Sequence, residues 1–216
     1  FSMLAKVFRL LPEIIVPGRR EREAAAELRY RLAKLGGSGP SFDFIVASGV
    51  RSALPHGVAS EKRIGKNDIV TLDWGWLLDG YCTDNTRTFF MGKPKRTLLE
   101  IHKIVCEANR LAIKKVAPGV PLKDIDAAAR EHIRKKGYGD KFGHGTGHGV
   151  GLEIHEAPNI GPRSKDVARE GMVFTIEPGI YLPGIGGVRI EDVVAVTEKG
   201  CKVLTRRIPK EPRITG

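Results

Sequence analysis

Cysteine is scarce in this chain: three in 216 residues, with no CxxC spacing among them. An odd, dispersed set argues against a disulfide framework and against a cysteine-held zinc. Cys82, Cys106 and Cys201 therefore read as free thiols, and a reducing, cytoplasmic setting is the expectation. Long apolar runs are missing too. The longest are short and strand-like, far below membrane-spanning length, and no secretory signal is visible. Also missing is an initiator methionine at position 1, where the chain reads Phe-Ser-Met. The expectation is a trimmed, processed or partly ordered fragment of a longer protein.

The net charge of +11 raises the question of nucleic acid. No helix-turn-helix, zinc finger or aromatic RNA-binding signature accompanies it. The basic residues alternate with acids, as in Arg19-Arg-Glu-Arg-Glu23 and Arg130-Glu-His-Ile-Arg-Lys-Lys136. Such stretches are solvated helix faces. Neither a nucleic-acid partner nor a membrane is expected.

What the chain does have is a repeat. Ile69-Val-Thr-Leu-Asp-Trp-Gly75 and Val173-Phe-Thr-Ile-Glu-Pro-Gly179 share the order apolar, apolar, Thr, apolar, acid, any residue, Gly. Their acids, Asp73 and Glu177, are offset by 177 − 73 = 104. Each is followed by a second acid, Asp84 and Glu191, with 191 − 84 = 107. Val16-Pro-Gly18 and Ala117-Pro-Gly119 each open a helical segment, closing at Gly36 and Gly137, both pairs 101 apart. In the first segment Ala26, Leu28 and Leu32 are expected on one face; in the second, Ile125, Ala129 and Ile133. The fold class implied is α+β: two pseudo-symmetric halves, about 1–95 and 96–205, with a curved, mostly antiparallel sheet and outer helices. A site made by both halves would lie at their seam.

Asp79-Gly80 is a two-residue hairpin signal. If it turns there, 78 faces 81 and 75 faces 84. Asp73 and Asp84 then share a face as diagonal neighbours, because side chains alternate along a strand. A one-residue slip would separate them.

Four carboxylates on apolar strands are costly to bury without counter-charge. The stretch Gly143-His-Gly-Thr-Gly-His-Gly-Val-Gly-Leu-Glu-Ile-His-Glu156 adds three histidines, His144, His148 and His155, among glycines that make poor core material. Carboxylates with an imidazole form a hard, oxygen-rich set suited to manganese, cobalt, iron or zinc in a two-metal site. Such a pair of ions, about 3.5–4 Å apart, serves hydrolysis. His102 and His132 sit in charged helical surroundings and are read as structural.

These motifs, with Ala53-Leu-Pro-His-Gly57, Tyr81-Cys-Thr-Asp-Asn-Thr-Arg-Thr88 and Gly187-Val-Arg-Ile-Glu-Asp192, resemble the pita-bread metallopeptidases, the family of methionine aminopeptidase, aminopeptidase P and prolidase. The resemblance runs from about residue 10 to residue 205. It implies the pita-bread fold and a role for each matching residue. Asp73 would chelate one metal, Asp84 and Glu191 bridge both, and His148 and Glu177 bind the other. Glu177 would also be the general base. His56, His144 and His155 would contact substrate or move protons. Arg189 would pair with a ligand carboxylate or a substrate terminus, and Tyr181 would stand on the substrate side or simply pack. The histidine spacing is similar to the proline-directed branch, which implies a dinuclear exopeptidase acting on peptides with proline second; manganese is the first expectation for its two ions, with cobalt, zinc or iron open. Methionine aminopeptidase and, more weakly, creatine hydrolysis are the other enzymatic readings; a non-catalytic binding module is the reading of another class. That branch normally carries a separate N-terminal domain and forms homodimers; the N-terminal domain is not found in this sequence.

Overall fold

Each half carries one helix that a Pro-Gly turn announces. The structure, a computed structural model, describes residues 1–212 and the backbone of 214–215. Two short helices, α1 (Ser2–Phe8) and α2 (Leu11–Ile14), precede α3 (Glu21–Ala33). The second half starts with α4 (Arg96–Lys115) and α5 (Leu122–Lys135). Both α3 and α5 begin three residues past the glycine of their turn, since 21 − 18 and 122 − 119 are both 3. Gly137 ends α5 at φ 85°, the left-handed conformation that closes a helix at no steric cost. Ile125, Ala129 and Ile133 of α5 are buried as expected. On α3 the buried face is Ala24, Leu28 and Leu32, while Ala26 is exposed. Two residues turn a helix by about 200°, so Ala26 points away from Leu28.

The strands of the first half are β1 (Gly39–Pro40), β2 (Ile45–Ser48), β3 (Ile69–Asp73), β4 (Trp76–Leu77) and β5 (Thr86–Met91). Those of the second are β6 (Gly147–Gly149), β7 (Glu156–Ile160), β8 (Val173–Ile176), β9 (Gly179–Leu182), β10 (Gly186–Arg189), β11 (Asp192–Thr197) and β12 (Gly200–Val203); β13 (Ile214–Thr215) follows. The strands divide into a four-stranded sheet, β13-β5-β3-β2, a five-stranded sheet, β12-β11-β8-β6-β7, and two-stranded pieces β1-β4 and β10-β9. Pairing is antiparallel except between β13 and β5. The sheets meet where β5 lies beside β10. Arg189 N donates to Thr88 Oγ1 (3.2 Å), Thr88 Oγ1 donates to Arg189 O (3.0 Å), and Glu191 N donates to Thr86 O (3.1 Å).

The hairpin is in the expected register. Leu78 faces Tyr81 across Asp79 (φ 52°) and Gly80 (φ 81°), and the same register carries Asp73 to Thr86 and Ile69 to Phe90. Asp84 is thus diagonal to Asp73. The histidine-glycine stretch, poor core material by composition, supplies the interior strand β6 between β7 and β8. Its glycines explain this: a side chain at Gly147 would collide with the carbonyl of Thr175, and one at Gly149 with the carbonyl of Ala157. Only backbone fits there, and His148 alone projects from the strand into the cleft.

Two apolar cores support the halves. One joins α1, α2 and α3 to β2, β3 and β5; the other packs α4 and α5 on the second-half sheet, with Ile69 and Phe90 reaching into it from the first. Ile208, far along the chain, packs in the first-half core. Among the described residues no helix is long and apolar enough to cross a membrane.

Candidate metal centre

Asp73 ends β3, Asp84 precedes β5, His148 is the middle of β6, Glu177 follows β8 and Glu191 precedes β11. All five line one cavity of about 380 Å³, together with His56, His144, His155 and Arg189. Phe42, Ile45 and Val58 supply part of its apolar wall. Ligand atoms of Asp84, His148 and Glu191 lie within 4.8 Å of one another. His148 Nε2 is 3.3 Å from Glu177 Oε1 and 3.7 Å from Asp84 Oδ2. Its Nδ1 donates to the carbonyl of Gly149 (3.0 Å), which turns Nε2 toward the acids.

The electrostatics show what the centre wants. Asp73 Oδ1, Asp84 Oδ1 and Glu191 Oε1 are buried and have no hydrogen-bond partner. Burial and the neighbouring charge of Glu191 push Asp84 well above the ordinary carboxylate range. Burial and the charge of Glu177 do the same to Glu191. Asp73 is raised by burial, though Arg189 opposes the shift. Burial works to lower His148, but the hydrogen bond and charge of Glu177 outweigh it and raise the imidazole to about 9. Carboxylates in this state are short of positive charge, and their free oxygens converge. Hard divalent cations fit that donor set.

The fixed positive charge in the cleft is Arg189, 3% exposed and so unable to serve a partner elsewhere. Its Nη2 donates to Asp73 Oδ2 (2.6 Å), its Nη1 to the carbonyl of Pro55 (2.9 Å) and to Tyr181 Oη (3.2 Å). Of the two roles open to Arg189, the geometry is that of a partner to a cleft carboxylate. Tyr181 is buried and is not among the residues lining the cavity. Its hydroxyl donates to His144 Nε2 (2.8 Å), because His144 Nδ1 is 2.7 Å from the carbonyl of Gly145 and must hold the ring proton. Tyr181 therefore backs the wall of the cleft. His155 is exposed at the mouth, its ring centroid 4.3 Å from that of His148, and His56 is exposed on the loop after Ala53.

The register corrects the expected correspondence of the second acids. Asp73 pairs with Thr86. Ile176 pairs with Asp192 and Arg189 with Gly179, so the same register sets Glu177 opposite Glu191. With Asp73 equivalent to Glu177, the counterpart of Glu191 is Thr86, and that of Asp84 is Arg189. A loose offset of 107 aligned the wrong residues because hairpin lengths differ.

Sequence reasoning assigned no role to Thr86, Thr175, Arg87 or Asp192. Thr86 Oγ1 donates to Glu191 Oε2 (2.8 Å), and Thr175 Oγ1 donates to Glu177 Oε1 (3.1 Å). Arg87, 2% exposed, donates to the carbonyl of Glu191, to Asp192 Oδ1 (2.9 Å) and to the carbonyl of Ile208 (2.7 Å). Their signal was a polar residue set against apolar strand neighbours: Thr86-Arg-Thr before Phe-Phe-Met, Thr175 within Val173-Phe-Thr-Ile, and Asp192 before Val-Val-Ala-Val. His102 is the structural residue expected: 2% exposed, and kept neutral by burial and the charge of Arg87, down to about 4. The three cysteines are free.

Residues 2–198 match metallopeptidase family M24. The chain is 53% identical over 194 residues to an Xaa-Pro dipeptidase of Pyrococcus furiosus, covering 90% of this chain and 56% of that protein. It is 49% identical over 204 residues to an uncharacterised peptidase of Bacillus subtilis, covering 94% and 58%. Among solved structures it superposes on an Xaa-Pro dipeptidase from Bacillus anthracis with TM-score 0.97 at 50% identity, covering 99% of this chain and 60% of that one. An X-Pro aminopeptidase from Thermotoga maritima gives TM-score 0.96 at 45% identity, covering 99% and 60%. The chain belongs to metallopeptidase family M24, and it spans a little over half the length of these relatives.

Proposed function

We propose that this chain forms the catalytic part of a dinuclear-metal exopeptidase that hydrolyses Xaa-Pro peptide bonds, as an aminopeptidase or a dipeptidase. The observation that carries the reading is the convergence of Asp73, Asp84, Glu177, Glu191 and His148 on one cleft, three of their oxygens lacking any partner. These five would hold two divalent ions, with manganese favoured for so oxygen-rich a set. When bound, the ions supply Lewis-acid polarisation of the scissile carbonyl and an activated water.

The chain's own residues would do the rest. Glu177 accepts a proton from the attacking water and passes it to the proline nitrogen as the C–N bond breaks. Arg189 holds Asp73 in place. His155 donates to the carbonyl oxygen as it gains charge, while His144, locked in one tautomer by Tyr181 and the Gly145 carbonyl, faces substrate together with His56. Proline has no amide hydrogen, and nothing in this scheme requires one. The partner is a peptide, in the full-length protein as a homodimer.

The test is a length series, Ala-Pro, Ala-Pro-Ala and Ala-Pro-Ala-Ala, with Met-Ala-Ala as control, under added manganese, cobalt or zinc. Cleavage of the proline series is expected. Cleavage of Met-Ala-Ala alone would make it a methionine aminopeptidase. Full metal loss on purification, with no uptake on adding metal, would favour a non-catalytic binding module.

A further inference from the structure

Two acids on the outer helices are buried away from the metal centre. Glu21, at the first turn of α3, is 0% exposed, and Asp126, in α5, is 1% exposed. A buried carboxylate is expensive unless it is saturated with donors, so the donors identify its role.

Glu21 is saturated by the loop that carries His56. Its Oε1 accepts from Ser48 N (2.7 Å) and Ser48 Oγ (2.8 Å) at the loop's start. Its Oε2 accepts from Ser60 N (3.1 Å) and Ser60 Oγ (2.6 Å) at the loop's end, and from Arg51 Nε (3.0 Å). Arg51 then reaches across with Nη2 to the carbonyl of Val58 (2.6 Å), two residues beyond His56. One carboxylate thus closes the loop from both sides. The carbonyl of Pro55, the residue before His56, is held by Arg189.

Asp126 does the same for His144 through an arginine. Its two oxygens accept from Arg130 Nε (2.8 Å) and Nη2 (2.9 Å), and Oδ1 also accepts from Thr146 Oγ1 (2.7 Å). Arg130 donates onward to the carbonyls of Phe142 (3.0 Å) and His144 (2.8 Å), with its guanidinium 4.3 Å from the Phe142 ring centre. Thr146 O in turn accepts from Glu177 N (2.7 Å).

We infer that Glu21 and Asp126 are positioning residues, each fixing from the outer helix layer the loop that presents one cleft histidine, His56 or His144. The inference rests on the proposed reading only in taking those histidines to face substrate. The two clamps are separate: among the described residues, none bonded to Glu21 is bonded to Asp126. Loosening one should leave the other intact.

The experiment compares Glu21→Gln and Asp126→Asn with wild type in the metal-loaded, full-length protein. Amide hydrogen exchange in Glu21→Gln should rise about tenfold or more over residues 51–58 and stay unchanged over 142–146; Asp126→Asn should reverse the pattern, with metal content equal to wild type in both. Glu21→Gln should lower kcat/KM about tenfold in wild type, chiefly through KM, and have no further effect once His56 is already alanine. Exchange that rises equally in both loops, or losses that multiply in the His56→Ala background, would overturn the inference. If either variant does not fold, Arg51→Gln and Arg130→Gln remove the onward contacts to Val58 and to Phe142 and His144 and leave the acids in place, and the same pattern decides. Should wild type cleave no proline peptide, the proposed function fails and the exchange result still stands on its own.

Discussion

The two halves carry the same strand-acid-glycine motif, yet what faces each acid is opposite in kind. In the first half Asp73 faces a threonine, Thr86, and has an acid, Asp84, on the diagonal. In the second half Glu177 faces an acid, Glu191, and has an arginine, Arg189, on the diagonal. Each half then supplies what the other lacks. Thr86 of the first donates to Glu191 of the second, and Arg189 of the second donates to Asp73 of the first. A strict duplicate of the first half would have brought four aspartates to the seam with no buried cation among them. Broken symmetry at two positions of the strand pair, Thr86 against Glu191 and Asp84 against Arg189, together with His148 from β6, gives the seam four carboxylates, one imidazole and one buried cation. The lesson is that the repeat builds the frame, and departures from the repeat build the chemistry.

The comparison can be broken at its strongest point first. Asp84→Asn or Glu191→Gln removes the carboxylate nearest the seam in one half. Each is expected to lose the metal pair and at least about 10³-fold in activity, or ~4 kcal/mol of barrier. Elemental analysis beside turnover checks it; two retained ions with near-normal turnover would contradict the assignment. Next is Arg189→Met, which strands Asp73. Breaking a buried pair from one side costs about 3–5 kcal/mol. The cost should be largest in metal-free protein and smaller when metal is present, read from thermal unfolding with and without manganese.

His102 tests the outer side of the same seam, where α4 meets Phe90 of β5, with ring centroids 5.7 Å apart. Its folded pKa lies below its unfolded value, about 4 against 6.5. The stability that comes from keeping it neutral is therefore fully present above pH 6.5 and is lost as pH falls toward 4, by about 3 kcal/mol. A urea series across that window should show the loss in wild type and a flatter profile in His102→Asn. The smallest effect is expected for Thr86→Val. It deletes the hydroxyl that links the halves at Glu191 and costs about 1–2 kcal/mol in stability. Metal affinity should fall about tenfold, measured by competition with a chelator. An unchanged affinity would mean that the reciprocal contact between halves is packing alone.

Much of this was written locally. The Asp79-Gly80 turn specified the register of β3 and β5, because two residues with positive φ permit few alternatives. Helices α3 and α5 announced themselves by turn and cap. The acids that line the cleft were legible because an acid in an apolar strand needs an external reason. What local reading mistook, it mistook for lack of contacts. Ala26 looked apolar enough to be buried, but the face is set by Ala24, Leu28 and Leu32 packing on the first-half core. Tyr181 could be substrate-facing or packed until the hydroxyl was seen on His144 and Arg189. Arg87 and Asp192 stand out as charges in their strands, but that they pair with each other is not legible locally, because the pairing spans 105 residues of sequence.

By itself, the sequence determined that two similar halves would each end a strand with a carboxylate, since strand period, turn chemistry and the cost of burying charge are all local or pairwise. Tertiary structure decided which residues of one half serve the acids of the other. That depends on how two sheets meet at β5 and β10, where hydrogen bonds join positions a hundred residues apart and no local pattern records the distance between them.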